Sequence, residues 1–378
     1  MSYSTSYADA LTSVIEDVVA PNATVTDVTA EFPRTNIAAL GAAGILGVCS
    51  AADVGGGGEG PRAAAEIVEG LATACASTAM VVTMHFAATA ALEAHGPEAV
   101  RSEIAAGNHL STLAFSEAGS RSHFWAPVST ATAAGDAVRL DATKSWVTSA
   151  GEADSYVWSS RPVAADGPMT LWYVPADSPG LSIAGGFDGL GLRGNGSFPV
   201  RADGVTVPVA DRLGDDGAGL DVALGAVLPW FLLCSASMSL GLMRAVIAET
   251  VAHVTATRFE HLDQSLAQQV TTRADVARMQ ILADSTQAVI NDALTAIETA
   301  REDAMLRVLE VKAVAGESSI AVTDLAMKVC GGAAFRRELG VERRFRDARA
   351  ARVMAPTTDA LHDFVGRAIT GLPLLGDA

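Results

Sequence analysis

The spacing of apolar residues changes twice along this 378-residue chain, and that change limits the folds the chain can adopt. Up to about residue 110, apolar residues recur three and four positions apart, as in Ala64, Ile67, Val68 and Leu71, which predicts helices. The period then becomes two until about residue 210, and from about residue 222 the helical period returns. The order predicts a helical, a β and a second helical domain, at residues 1–111, 112–221 and 222–378.

The middle segment predicts an antiparallel β-domain. Alternating runs at 137–141 and 171–175 are separated by turn residues, and 205–208 has the pattern of a last strand. The third segment predicts three long helices and a short fourth, with the long ones at about 222–258, 266–301 and 304–330. We therefore predict an α+β fold with an N-terminal helical domain, a middle antiparallel β-domain and a C-terminal four-helix bundle.

Composition excludes some partners. The net charge is −17, and a strongly acidic protein repels nucleic acid and anionic membranes, so we expect neither as a partner. The longest apolar run, 222–242, contains Gly225 and Pro229, and it predicts the start of a buried helix better than a membrane span.

The cysteines and the first residues indicate the compartment. Four cysteines lie in apolar surroundings without a CxxC pair, which is typical of reduced, buried thiols: Cys49, Cys75, Cys234 and Cys330. The first residues lack a basic region followed by an apolar one, so we expect no signal peptide and a cytoplasmic protein. We predict no metal site.

Several short motifs follow one another along the chain. They are FP at 32–33 before the glycine run at 55–58, AFSEAGS at 114–120, KSWVT at 144–148, GLRG at 191–194, KVCGG at 328–332 and VERRFRDAR at 341–349. Their order and spacing resemble those of the acyl-CoA dehydrogenase family over essentially the whole chain. The resemblance implies the helical, β and helical domains of that family and one FAD in each subunit.

The resemblance places the flavin ring at two of these motifs. Trp146 and Thr148 match residues that lie against the ring, and their spacing of two would put them on one face of a strand. Phe115, Ser116 and Ser120 match the segment at the pyrimidine end of the flavin. The alternative is that Trp146 and Thr148 only pack the core of the β-domain.

The resemblance also implies contacts to the rest of the cofactor. Arg258 and Gln269 match an arginine and glutamine pair of the family, in which the arginine reaches the FAD pyrophosphate of a neighbouring subunit, and this predicts a homotetramer or at least a homodimer. The alternative for Arg258 is a cation at a helix C-terminus, stabilised by the helix dipole.

A second group of matched residues lies near the C-terminus. Gly331 and Gly332 would let the backbone approach the adenosine half, a role in which glycine carries the least strain. Lys328 stands where the family prefers glutamine, and Thr357 and Asp359 match positions that flank the flavin.

The usual catalytic base is missing. Dehydrogenation removes an α-proton while a hydride leaves the β-carbon, and a buried carboxylate suits the first task. Ala355 occupies the position where most of the family keeps that glutamate. Glu249 and Glu260 are the candidates for a relocated base, although either could be an ordinary solvated carboxylate on a helix face. Further candidates are Glu117, Asp359 and Asp363.

Three functions remain open on the sequence alone. The first is α,β-dehydrogenation of an acyl thioester, linked to CoA or to a carrier protein, with electrons passing to an electron-transfer flavoprotein or another acceptor. The second is a flavin-dependent monooxygenase of the same fold, supplied by a flavin reductase and using O2, which needs no base at Ala355. The third is a flavoprotein that has lost its activity.

The polar and aromatic run of Arg121, His123, Phe124 and Trp125 predicts either substrate contacts or a packed loop.

Overall fold

The computed structural model describes residues 6–120 and 123–376, and it confirms the order of helices, strands and helices. The first helices are α1 (Ser6–Val14), α2 (Ala20–Thr29), α3 (Arg34–Ala42), α4 (Pro61–Ala74), α5 (Ala76–His95) and α6 (Glu98–Ala105). The strands are β1 (Ser111–Ala114), β2 (Thr130–Ala134), β3 (Ala137–Val147), β4 (Ser155–Ser160), β5 (Thr170–Pro175), β6 (Leu181–Ile183), β7 (Phe198–Pro208) and β8 (Arg212–Leu213). The later elements are α7 (Gly219–Val222), α8 (Leu228–Ala256), β9 (Arg258–Phe259), β10 (Gln264–Ser265), α9 (Val270–Glu298), α10 (Ala304–Cys330), α11 (Val341–Ala348), α12 (Ala350–Val353) and α13 (Thr358–Thr370).

The chain divides into two compact units. The first comprises the residues up to Ile67 together with Ser77–Gly189 and Arg193–Phe231. The second comprises Val68–Ala76, Leu190–Leu192 and the residues from Leu232 onward.

Two four-stranded sheets form the β part of the first unit. One has the order β1-β4-β5-β8 and the other β2-β3-β7-β6. In β3, Val138 and Leu140 are buried while the Arg139 side chain is 55% exposed, as the period of two predicts. Pairing is antiparallel except between β1 and β4, which run parallel. The predicted antiparallel domain is thus confirmed apart from that one pair. The long connection between β1 and β4 contains β2 and β3 of the other sheet, and a connection of this length allows β1 and β4 to run side by side in the same direction.

The second unit contains the predicted long helices and the shorter α13. Helix α10 packs against α9, α11 and α13. Its buried residues recur three and four positions apart, at Val308, Val311, Lys312, Ala315, Ser319 and Val322.

One helical stretch, Gly219–Ala256, is long and apolar enough to cross a membrane. In its most apolar window, 83% of the residues are buried inside the protein, which agrees with the predicted buried helix at 222–242.

Candidate active site

The indole of Trp146 is exposed at the end of β3. Trp146 has a φ of +58°, and the register of β3 against β7 shifts between Lys144 and Val147. Residues other than glycine rarely adopt this left-handed backbone conformation, and they keep it only where the surrounding structure fixes them. The result is an indole that is 70% exposed, with the Phe187 ring edge-on to it at 6.2 Å between centroids. This large aromatic face is available to a planar ligand.

Thr148 does not share a strand face with Trp146, so that part of the prediction was wrong. Strand β3 ends at Val147, and Thr148 is only 3% exposed. Its hydroxyl lies 3.2 Å from the hydroxyl of Ser197, and its carbonyl accepts a hydrogen bond from the Thr112 hydroxyl at 2.9 Å. The bulge and the left-handed residue break the alternation on which the prediction relied.

A buried ion pair joins Lys144 to Glu117. The Lys144 ammonium donates to Glu117 at 2.5 Å and to the carbonyl and hydroxyl of Ser159 at 2.7 and 2.9 Å. The second carboxylate oxygen of Glu117 accepts from the backbone N–H groups of Val128 and Ser129, at 2.8 and 3.0 Å. Burial lowers the pKa of Lys144 to about 8, although the nearby carboxylate opposes that shift. Burial raises the pKa of Glu117, but the charge and hydrogen bonds of its partners outweigh burial and hold it below its ordinary value.

This ion pair fixes the two segments that carry the predicted flavin contacts. The backbone N–H of Ser145 donates to the carbonyl of Ser116 at 2.8 Å, beside the Lys144–Glu117 contact. Ser120 is buried, and its backbone N–H donates to the Glu117 carbonyl at 3.2 Å. Both oxygens of Glu117 are engaged, so this carboxylate holds backbone in place and is a poor candidate for the base.

The predicted substrate residues form an aromatic cluster with Phe115. The Phe115 and Phe124 rings stack at 6.5 Å, and Trp125 contacts Phe124 and His123 edge-on at 5.1 and 4.9 Å. Phe115 and Phe124 are buried, whereas His123 is exposed. Arg121 lies outside the described residues. The buried Phe124 agrees with a packed loop, while the exposed His123 is accessible to a substrate. The structure is therefore compatible with both interpretations of this run.

In the second unit, Arg258 and Gln269 each contact the segment 263–264 of a small hairpin. Arg258 of β9 pairs with β10, and its guanidinium donates to the carbonyl and the carboxylate of Asp263 at 2.9 and 2.5 Å. The Gln269 amide donates to the side chain of Gln264 in β10 at 3.0 Å. Helix α8 ends at Ala256, and the Arg258 guanidinium donates to Asp263. The alternative that Arg258 is a cation at the C-terminus of α8 is therefore not favoured.

The end of α10 carries the other candidate phosphate contacts. The Lys328 ammonium lies 2.7 Å from the Asp275 carboxylate, and its side chain is 66% exposed. Gly331 ends the helix with a φ of +55°, which explains glycine at that position. Among the residues that the structure describes, a Cβ added at Gly331 or Gly332 would meet nothing within 4 Å. The backbone here is open to an approaching group.

The segment before α13 contains Ala355, Thr357 and Asp359. The Thr357 hydroxyl accepts from the backbone N–H of Ala360 at 3.3 Å and caps α13. Asp359 is exposed in the first turn, and Asp363 pairs with Arg367 at 2.8 Å, so neither has the environment of a buried base.

Glu249 is more buried than the candidates Glu260, Asp359 and Asp363, with 26% of its side chain exposed. One of its oxygens accepts from Arg344 at 3.3 Å, and Arg344 also donates to the carbonyls of Ala72 and Thr73 at 3.0 and 2.6 Å. Burial raises the pKa of the Glu249 carboxyl, while the charges of Arg344 and Arg343 oppose that shift. Within the described ranges its other oxygen is buried without a hydrogen-bond partner. Glu260, in contrast, is exposed in a short 3₁₀ turn.

Three family profiles match almost the whole chain. They are "Acyl-CoA dehydrogenase, N-terminal domain" over residues 4–107, "Acyl-CoA dehydrogenase, middle domain" over residues 112–205 and "Acyl-CoA dehydrogenase, C-terminal domain" over residues 217–370. The chain belongs to the acyl-CoA dehydrogenase family. Members of this family are FAD-dependent oxidoreductases, and the predicted fold class is confirmed.

Individual acyl-CoA dehydrogenase relatives match over most of their length. The "Probable acyl-CoA dehydrogenase YngJ" of Bacillus subtilis (strain 168) is 26% identical, over 90% of this chain and 91% of that protein. The solved butyryl-CoA dehydrogenase from Megasphaera elsdenii superposes with a TM-score of 0.90 at 21% identity, covering 98% of this chain and 99% of the other. The prolyl acyl carrier protein oxidase AnaB gives 0.87 at 18% identity, covering 97% and 100%.

The family motifs include most of the candidate residues, but they do not indicate the long-range contacts that hold these residues in place. Ser197 lies 49 residues from Thr148, and no local pattern links the two hydroxyls. Lys144 belongs to a motif of the acyl-CoA dehydrogenase family, yet its partner Glu117 is 27 residues away. The sequence gives no sign of a role for Lys312, because its neighbours on the buried face of α10 are mostly small or apolar.

Proposed function

We propose that this chain is a FAD-dependent dehydrogenase of acyl thioesters. The observation that carries the proposal is the exposed indole of Trp146, two residues before Thr148 in the chain, in a protein whose family uses FAD. An exposed aromatic face of this size, fixed by a strained backbone, fits a planar isoalloxazine ring better than it fits solvent. The Thr148 hydroxyl would donate to the ring, and Phe115, Ser116 and Ser120 would lie at its pyrimidine end.

The second unit offers groups that suit the phosphates. Arg258 and Lys328 are exposed cations, and the open backbone at Gly331 and Gly332 would admit a phosphate or the adenosine half. Following the family resemblance, Arg258 and Gln269 would reach the FAD of a second copy of the chain. We therefore propose a homotetramer, or at least a homodimer, in the cytoplasm.

The proposed reaction removes a proton from the α-carbon and a hydride from the β-carbon of the acyl group, and it leaves a carbon–carbon double bond. Bound FAD would accept the hydride and pass two electrons on to an acceptor. Among this chain's own residues, Glu249 is the best candidate for the base. Its support is the combination of burial, a raised pKa and an unpartnered oxygen, which are features of catalytic carboxylates.

The thioester could be carried by CoA or by a carrier protein. The family names and the butyryl-CoA dehydrogenase neighbour support CoA, and the carrier protein oxidase among the structural neighbours supports a protein-bound thioester. We propose that His123, Phe124 and Trp125, with Arg121, contact the acyl group. An electron-transfer flavoprotein is the proposed acceptor.

Anaerobic mixing with acyl thioesters tests this function. We expect the FAD-loaded chain to lose its yellow colour with at least one thioester in a panel presented on CoA, on pantetheine and on a carrier protein. The loss should be stoichiometric with an α,β-unsaturated product measured by mass spectrometry. The control is the S-alkyl thioether analogue of the same substrate, in which a CH2 group replaces the carbonyl that acidifies the α-proton. It should leave the colour unchanged. Retained colour with the whole panel would contradict the proposal.

A second function is favoured by one observation, the absence of a carboxylate at Ala355. A flavin-dependent monooxygenase needs no base there, and it would receive reduced flavin from a reductase. In the same panel under air, such an enzyme would consume O2 and add one oxygen atom to the substrate only when reduced flavin is supplied. A chain that fails both assays but retains FAD would be a flavoprotein without activity.

A further inference from the structure

Lysine is rare in this chain and two of its three copies are completely buried. Of the 26 basic residues, only Lys144, Lys312 and Lys328 are lysines. Lys144 and Lys312 are among the largest fully buried side chains, with 0% and 1% exposure. An ammonium presents three protons from one compact centre, whereas a guanidinium presents five in a rigid plane. In an arginine-rich chain, lysine at these two positions indicates a geometric requirement for the compact donor.

Lys312 contacts three carbonyls and so uses all three of its protons. Its Nζ donates to the carbonyls of Ala351, Met354 and Pro356 at 3.2, 3.0 and 2.9 Å. Unlike Lys144, which meets a carboxylate, it has only uncharged oxygens in these contacts, and burial lowers its pKa to about 7. The free-energy cost of burying this ammonium is therefore offset by its hydrogen bonds to the three carbonyls.

Ala351 lies in α12, and Met354 and Pro356 lie in the turn between α12 and α13. That turn contains Ala355, where the resemblance places the family's glutamate, and it leads directly into Thr357. Thr357 in turn caps α13 by accepting from Ala360, while its carbonyl accepts from the N–H of Leu361 at 2.9 Å. Fixing the carbonyls on both sides of Ala355 fixes the direction of its side chain and the position of the Thr357 cap.

We propose that Lys312 is a positioning residue of the candidate active site, which acts by gathering the backbone of residues 351–357 around its ammonium. The hold on the turn follows from contacts within the second unit. Its consequence for catalysis rests on the proposed function, because it assumes that Thr357 and Ala355 face the flavin and the substrate. An arginine at 312 would keep the charge but could not direct three donors onto three carbonyls within the same small volume.

Hydrogen exchange followed by mass spectrometry tests the hold on the turn without any cofactor. The variants are Lys312→Met and Lys312→Arg, with Leu309→Ala as the control, since Leu309 is a buried residue of the same helix with 1% exposure. We expect exchange in a peptide covering 351–361 to rise at least about tenfold in both Lys312 variants. In Leu309→Ala the turn should exchange as in the wild type, even if α10 itself opens more often. Equal exchange of the turn in Lys312→Met and Leu309→Ala would overturn the proposal.

The second arm measures the consequence for the site. We expect Lys312→Met to bind FAD at least about tenfold more weakly than Leu309→Ala, and to shift the visible spectrum of the bound flavin. A looser turn with FAD affinity and spectrum equal to those of Leu309→Ala would show that Lys312 only stabilises the fold, which would overturn the positioning role while the proposed function stands. If the wild-type chain itself bound no FAD, the proposed function and the role at the site would both fail, and the exchange result would still decide whether Lys312 holds the turn.

Discussion

Replacing Glu249 by glutamine should lower the rate of flavin reduction by an acyl thioester by about 10²–10⁴-fold, the usual contribution of a general base. The substitution removes the proton acceptor but keeps a side-chain oxygen that Arg344 can still contact, so the packing around Glu249 is preserved. We therefore expect FAD to stay bound at wild-type affinity. Anaerobic stopped-flow measurement of flavin absorbance gives the rate directly.

Glu260→Gln is the matched control, because Glu260 lies on an exposed turn and offers the same chemical change. It should reduce the flavin at the wild-type rate. If Glu249→Gln and Glu260→Gln both reacted within about twofold of the wild type, neither carboxylate would be the base. The proton would then be removed by another group, while the thioester would still reduce the flavin.

Replacing Lys144 by methionine should lower the free energy of unfolding by about 3–5 kcal/mol, the cost of leaving one member of a buried ion pair without its partner. Glu117 would keep its two backbone N–H contacts but would lose the ammonium that neutralises it. Glu117→Leu should be destabilising for the converse reason, since the ammonium would then have only Ser159 as a close partner. Urea unfolding of each variant measures the change.

The combined variant Lys144→Met/Glu117→Leu shows whether Lys144 and Glu117 stabilise the fold as an ion pair or through two independent sets of contacts. Because the two side chains compensate each other's charge, we expect the double change to destabilise the chain by less than the sum of the single changes. Arg139→Met, on the same strand but with an exposed partner in Asp141, should hardly alter stability. Additive effects, or a cost for Lys144→Met no larger than that for Arg139→Met, would contradict this interpretation.

The sequence was sufficient for the features that depend on local periodicity. The alternating run at 137–141 lies within β3, where Val138 and Leu140 are buried, and the predicted helix at 304–330 has the bounds of α10, whose buried residues recur at helical spacing. The parallel pairing of β1 with β4 is a different kind of feature. It depends on which strands meet in space, and neither strand's own pattern encodes that choice.

The candidate site was predictable only where the family motifs supplied it. The motif containing Trp146 identified an aromatic residue for the flavin, but not the left-handed backbone that exposes the indole. The contacts that hold the site span long stretches of sequence: Lys144 to Glu117 over 27 residues, Lys312 to Pro356 over 44, and Arg344 to Glu249 over 95. Such pairs have no periodicity, so a single sequence gives no sign of them.

Titration of the flavin-free chain with FAD shows whether the exposed indole of Trp146 receives the flavin ring. We expect saturation at one FAD per chain with quenching of tryptophan fluorescence, and in Trp146→Leu we expect an affinity about tenfold lower with most of the quenching lost. If the chain bound no FAD, or if Trp146→Leu bound and quenched as the wild type does, the flavin would not lie on this residue and the proposed chemistry would have no basis.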